Sequence, residues 1–192
     1  MKNYRLAIFA SGGGTNAQEI INYFKDHTSI EVSLILSNNP NAYVLARALE
    51  NNIPSKLFDR ATYRDKKQIL EWLHEYKITH IVLAGFLWLV PQYLLKAFPH
   101  RIINIHPALL PKHGGKGMYG MRVHESVKSS GDMVTGITIH MVDENYDEGR
   151  VLFQAQCDVT ENDTAESIAD KVHALEHQHY PKVIEELIIN NY

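Results

Sequence analysis

Leu6-Ala7-Ile8-Phe9-Ala10-Ser11-Gly12-Gly13-Gly14-Thr15-Asn16-Ala17 is the stretch that decides the fold. A short apolar run gives way to three glycines, and the amphipathic pattern of Ala17 to Phe24 begins at once, so the segment reads as strand, tight turn and helix. The alternation then repeats. Apolar runs rich in β-branched residues stand at Val32 to Leu36, Ile81 to Phe86 and Ile102 to Ile105. Helical patterns fall at Tyr43 to Leu49, Lys67 to Tyr76 and Tyr93 to Phe98. Strands that alternate with helices predict an α/β protein with a doubly wound, mostly parallel sheet flanked by helices. Past Val142 the pattern changes. Ile137 to Val142 and Val151 to Val159 are joined by a short acidic loop and read as an antiparallel edge. Asp163-Thr164-Ala165-Glu166 resembles a capping box for a closing helix that Pro181 interrupts or kinks. In open sheets of this class ligands sit outside the carboxyl ends of the strands, so the loops carrying Ser11 to Asn16 and His106 to Gly120 share one rim.

The chain has 192 residues, enough for one domain over 1–192 with a sizeable core. A formal charge of -3, with scattered lysines and arginines, provides no basic field for nucleic acid and points to a small-molecule partner. Cys157 is the one cysteine, which leaves no intrachain disulfide and no thiolate metal cluster. The longest apolar run, Ile81 to Val90, falls short of the roughly 18 to 20 residues that span a bilayer. Met1-Lys2-Asn3-Tyr4 leads directly into a strand, not a signal peptide. These features predict a soluble, cytoplasmic protein without a membrane partner.

Ser11 to Asn16 can hold an anion: the glycines allow close backbone approach, and Thr15 and Asn16 can cap a helix whose N–H groups and dipole face the ligand. A Walker loop would need Gly-Lys-Ser/Thr, and no lysine is present. Gly12-x-Gly14-x-x-Ala17 satisfies the permissive dinucleotide pattern, yet that fingerprint asks for an acidic residue about 20 positions on, where the chain has Ser37-Asn38-Asn39. A monophosphate fits better.

Asn104-Ile105-His106-Pro107-Ala108-Leu109-Leu110-Pro111 sets an amide and an imidazole at i and i+2, on one side of a strand that Pro107 ends. Ile103 and Ile105 then face a core, while Asn104 and His106 face away from it together. A hydrogen-bond donor beside a proton carrier suits acyl or formyl transfer. The competing reading is an Asn that caps the strand end with a His packed on it. His140 precedes the acidic loop Asp143-Glu144-Asn145-Tyr146-Asp147-Glu148-Gly149, and one of its carboxylates can orient a histidine ring and raise its pKa. Spacing does not say which. His173-Ala174-Leu175-Glu176-His177 matches the inverted zinc-protease motif, but a third ligand is wanting, so no metal is expected. Glu176 sits at the margin of the apolar stripe, within reach of a pocket.

Together, Ser-Gly-Gly-Gly-Thr-Asn, Leu83-Ala84-Gly85-Phe86, the Asn104 to Lys112 block, His140 with Asp147, and Glu176-His177 with Tyr180-Pro181 resemble the phosphoribosylglycinamide formyltransferases, in the folate-dependent formyltransferase superfamily, nearly end to end. The resemblance implies the Rossmann-like formyltransferase fold. It also implies transfer of a formyl group from 10-formyltetrahydrofolate to glycinamide ribonucleotide in purine synthesis; the sequence leaves monomer or homodimer open. Asn104, His106 and Asp147 would then be catalytic, with His140 in support. The backbone of Gly14, Thr15 and Asn16 would hold the substrate phosphate, and Glu176 the glycinamide end, with His173 at a substrate position where some members have glutamine. Leu87, Trp88, Leu89 and Val90, with Asp143, Glu144 and Asp147, would border the pterin beside Asn104. Arg60 or Arg64 would meet the folate tail.

One segment departs from that pattern. Members usually continue after Lys112 with an aromatic, Pro and Gly, whereas this chain has His113-Gly114-Gly115-Lys116-Gly117-Met118-Tyr119-Gly120. Such a loop can serve as a lid or merely as a connector. The best enzyme alternative is a sugar-nucleotide formyltransferase, which carries the same Asn-x-His pair. A non-catalytic sugar-phosphate-binding module would keep the glycine loop and dispense with Asn104, His106 and Asp147.

Overall fold

The computed structural model describes residues 3–190. The first part of the chain runs β1 (Tyr4–Ala10), α1 (Thr15–Phe24), β2 (Ile30–Ser37), α2 (Val44–Glu50), β3 (Ser55–Leu57), α3 (Arg60–Arg64), α4 (Lys67–Glu75), β4 (His80–Leu83), α5 (Gln92–Ala97) and β5 (Ile102–His106). It continues through α6 (Met121–Ser130), β6 (Val134–Met141), β7 (Val151–Asp158) and α7 (Ala165–Asn190). The strands form one 7-stranded sheet in the order β3-β2-β1-β4-β5-β6-β7. Pairing is parallel from β3 through β5 and antiparallel for β5 with β6 and β6 with β7. The expected mostly parallel sheet with an antiparallel edge is therefore observed.

Strand β1 shows why both faces are covered. Leu6, Ile8 and Ala10 enter a core with Ile20 and Phe24 of α1, Val127 of α6 and Ile168, Val172 and Tyr180 of α7. Ala7 and Phe9 point the opposite way, to Phe58, Tyr63 of α3, Ile69 and Leu73 of α4 and Leu94 of α5. A strand buried on both faces needs an unbroken apolar run, which is what Leu6 to Ala10 supplies. Strand β5 divides likewise: Ile103 and Ile105 join the first core, Ile102 joins the second, and Asn104 and His106 follow Ile102 onto that side.

Several elements differ from the sequence reading. β3 and α3 were not expected, since three strand residues and a single helical turn lie below the length at which periodicity can be read. Helix α3 nevertheless carries a sequence signal, Asp59, whose carboxylate accepts from the Thr62 N–H at 2.8 Å. α6 was also missed, because its buried side is narrow: Val123, His124 and Val127. β4 stops at Leu83, where the expected strand ran to Phe86, and Gly85 turns the chain away with φ 71. α7 runs through Pro181 without interruption. Its N-terminal box is shifted by one residue from the expected one, since Thr164 and Ser167 exchange hydrogen bonds at 3.0 and 3.2 Å. Asp163 instead accepts from Thr160 N and Ser167 Oγ.

Candidate active site

The strand order reverses between β1 and β4, because β1 leads outward to β2 and β4 leads the other way to β5. A crevice opens at such a switch point, outside the carboxyl ends of the strands. Here the two loops are tied across it: Ser11 N donates to Gly85 O at 3.0 Å, and Leu87 N donates to Ser11 Oγ at 3.1 Å. The resulting cavity has a volume of about 700 Å³. Ser11 to Asn16, Leu83 to Val90 and Asn104 to Pro107 line it, with the 115–121 loop, His140 and Asp147 opposite. The two loops expected to share a rim do share it.

Glycine is required at 14, where φ is 71 and a Cβ would lie 2.6 Å from Val44 Cγ2. Gly14 is the N-cap of α1 and has no side-chain cap, so the capping expected of Thr15 and Asn16 does not occur. Asn16 Nδ2 instead donates at 2.9 Å to Glu176 Oε2, which also takes His173 Nδ1 at 2.8 Å. The first N–H groups of α1 are thereby left for an anion. The bond to Glu176 outweighs burial at His173 and raises its pKa above the ordinary histidine value. Glu176 itself is only 4% exposed, so α7 contributes a buried carboxylate to the wall of the cavity.

The catalytic candidates meet through sheet register. Asn104 of β5 lies directly opposite His140 of β6, and Asn104 Nδ2 is 3.1 Å from His140 Nε2. His140 Nδ1 is 2.8 Å from the Met141 carbonyl, which can only accept, so the neutral ring carries its proton on Nδ1 and takes the Asn104 amide on Nε2. The other amide N–H of Asn104 has no partner among the described residues. His106, 3% exposed, is fixed in the other tautomer, since its Nε2 donates at 2.8 Å to the carbonyl of His113. Its Nδ1 therefore carries the lone pair and lies 3.5 Å from Asp147 Oδ2.

Asp147 Oδ1 is 3.6 Å from His140 Nε2, and Oδ2 accepts from Gly115 N at 2.9 Å. Its backbone sits at φ 59, unusual for a residue other than glycine, and such positions gather at functional sites. The loop folds back sharply at Gly149, where a Cβ would collide with the Met141 carbonyl. Burial alone would raise the Asp147 pKa, but His140, His106 and the Gly115 N–H outweigh it and hold the carboxyl below its usual range. Burial lowers the pKa of His106, against the opposing pull of Asp147 and the His113 carbonyl. A neutral imidazole beside an ionised carboxylate can accept a proton and then be stabilised as its cation.

Among the other expected residues, Leu87, Trp88, Leu89 and Val90 all line the cavity, with Leu87 45% and Leu89 41% exposed. Asp143, Glu144, Arg60 and Arg64 do not line it. Arg60 stacks its guanidinium 4.5 Å above the Trp88 ring, itself on the cavity wall. Sequence reasoning missed Met118, Tyr119, Met121 and His124 as lining residues, all from α6 or the loop before it. Among the described residues, no group of three or more His, Cys, Asp or Glu is placed to hold a metal ion. No described helix is long and apolar enough to cross a membrane.

Comparison with known proteins agrees with this architecture. Residues 4–184 match the family described as formyl transferase. A phosphoribosylglycinamide formyltransferase of Bacillus subtilis (strain 168) is 37% identical, over 97% of this chain and 96% of its own. The chloroplastic phosphoribosylglycinamide formyltransferase of Vigna unguiculata is 41% identical over 97% of this chain, which spans 62% of that relative's length. The crystal structure of the Bacillus halodurans phosphoribosylglycinamide formyltransferase superposes with a TM-score of 0.87 at 39% identity, covering 96% of this chain and 95% of the other. The glycine loop, the Asn104 and His106 pair and the Asp147 loop thus lie in a chain that belongs to the formyl transferase family, alongside its phosphoribosylglycinamide formyltransferases.

Proposed function

We propose that the protein transfers the formyl group of 10-formyltetrahydrofolate to the amine of glycinamide ribonucleotide. The observation that carries this reading is a convergence in one cavity: a free Asn104 amide N–H and the unprotonated His106 Nδ1 face the space reached from the phosphate-ready N-terminus of α1. The folate supplies the formyl carbon and the leaving nitrogen. Asn104 donates to the formyl oxygen as negative charge develops there. As the amine bonds to the formyl carbon, His106 takes its proton at Nδ1, Asp147 stabilises the resulting cation, and the proton passes to the folate nitrogen as the formyl C–N bond breaks.

Binding divides along the cavity. The N–H groups of Gly14, Thr15 and Asn16 hold the phosphate, and Glu176, fixed by Asn16 and His173, receives the glycinamide end. The exposed apolar side chains of Leu87 and Leu89, with Trp88 and Val90, suit a flat pterin opposite the Asp143 to Asp147 loop. Of the two arginines, Arg60 is the better placed for the folate tail, since its charge lies over Trp88.

Following folate release spectroscopically from 10-formyltetrahydrofolate, with and without glycinamide ribonucleotide, tests the reading. Release that depends on the ribonucleotide is expected. Release without it would make the protein a hydrolase, and no release in either case would redirect the search to amino-sugar nucleotides.

A further inference from the structure

His106 and Asp147 are both held by the backbone of one short loop. The His113 carbonyl accepts the His106 Nε2 proton at 2.8 Å, and the Gly115 N–H reaches Asp147 Oδ2 at 2.9 Å. That loop is rich in glycine, and His113 itself sits at φ 55, where a side chain other than glycine is strained. Left alone, such a segment would sample many conformations and hold neither group.

The His113 side chain is what fixes it. Nδ1 is 2.8 Å from Ser126 Oγ on α6, and Nε2 donates at 2.9 Å to Asp132 Oδ2, just past the Gly131 cap that ends α6. Asp132 Oδ1 is in turn held by Lys112 Nζ at 2.8 Å. The His113 ring is 12% exposed, so these bonds are largely shielded from water. We propose that His113 is a positioning residue, its ring latching the loop to α6 so that the loop backbone sets the tautomer of His106 and the orientation of Asp147. The latch decides which nitrogen of His106 is free: with Nε2 committed to the carbonyl, Nδ1 is the base.

The inference deepens the transferase reading and rests on it. The test compares wild type with His113→Phe, which keeps a ring and loses both bonds, with Asp132→Ala, which cuts the far end of the latch from outside the cavity, and with the double variant. Each single change should lower kcat on the order of tenfold to 10²-fold, the cost of misplacing catalytic groups by about 1 Å. KM for the ribonucleotide should change little, and the double variant should be no worse than His113→Phe, because both remove one device. Thermal melting confirms that each variant is folded.

Two readouts separate positioning from mere support of the fold. His140 of β6, Glu176 of α7 and His124 of α6 face His106 in every variant, whereas the His113 carbonyl and the Asp147 carboxylate that Gly115 holds, both of which raise its pKa, lose their places with the latch. The acid limb of the kcat profile should therefore move to lower pH in His113→Phe. Nitrogen-15 NMR of the ring should show His106 protonated on Nε2 in wild type and a mixture of tautomers in the variant, independently of turnover. Wild-type kcat, an unmoved acid limb and a single Nε2 tautomer in His113→Phe would overturn the latch and leave the transferase reading intact. Additive losses in the double variant would overturn it as well. Wild-type protein without ribonucleotide-dependent transfer would remove both.

Discussion

At the scale of single residues, the proposed reaction makes Asn104 a donor and His106 a proton carrier, and the two roles can be told apart by pH. Asn104 has no titratable proton, so Asn104→Ala should lower kcat on the order of 10²-fold to 10³-fold at every pH without moving the acid limb. Asp147 raises the His106 pKa through its charge, so Asp147→Asn should lower the plateau and also shift the acid limb to lower pH. Full kcat profiles of the two variants check both statements, and a limb that moves in Asn104→Ala would reverse the assignment. The Asn104 and His106 pair was legible in the sequence because strand geometry puts i and i+2 on one side, and Pro107 marks where the strand ends. The identity of the carboxylate was not, since Asp147 reaches His106 through a loop whose path spacing does not fix. His113 was illegible as a site residue for the same reason, and His124 because helix α6 was not read. His124 is 2% exposed and its Nδ1 has no partner among the described residues, yet nothing in Val123-His124-Glu125 distinguishes it from an ordinary helical histidine.

At the scale of elements, the site depends on how α7 docks on the sheet. Tyr180 is fully buried, and its hydroxyl donates toward Leu83 O at 2.9 Å, at the end of β4 where the cavity wall begins, and toward Ile103 O at 3.2 Å, next to Asn104 within β5. One turn earlier on the same helix stands Glu176. Tyr180→Phe removes the donor and leaves buried carbonyls short of a partner, which costs about 1 to 3 kcal/mol. Denaturant unfolding should register that loss with an unchanged m-value, and a loss below about 0.5 kcal/mol would show that the bond does not anchor the helix. The longer strands and most of the helices were readable from the sequence because apolar residues recur along them at the period of the element. β3 and α3 were not, since they are too short to establish a period, and α6 was not, since Val123 and Val127 stand among charged and polar residues after Met121.

At the scale of the whole molecule, the cavity belongs to neither core, for it is closed by loops from β1, β4 and β5 together with α6, α7 and the β6–β7 connection. A ligand seated there binds the folded chain and not the unfolded one, so its binding energy is added to the stability of the whole chain. Glycinamide ribonucleotide, the proposed acceptor, at about 100 times its Kd should contribute about 2.7 kcal/mol and raise Tm by roughly 5 to 10 °C for a chain of this size. Gly14→Ala addresses the proposed phosphate end. Its Cβ meets Val44 and its φ of 71 suits glycine, so the unliganded variant should lose about 1 to 3 kcal/mol. The remaining fold keeps Asn104, His106 and Asp147 in place, and the ligand-induced rise in Tm should nevertheless shrink to within a few degrees, because the N–H groups at the start of α1 are displaced with the loop. Differential scanning fluorimetry of both proteins across a ribonucleotide titration checks this. A Gly14→Ala variant that keeps the full ligand-induced rise would mean that the phosphate is held elsewhere on the rim, and Lys116, exposed on the cavity wall with no ion pair among the described residues, would then be the first cation to test.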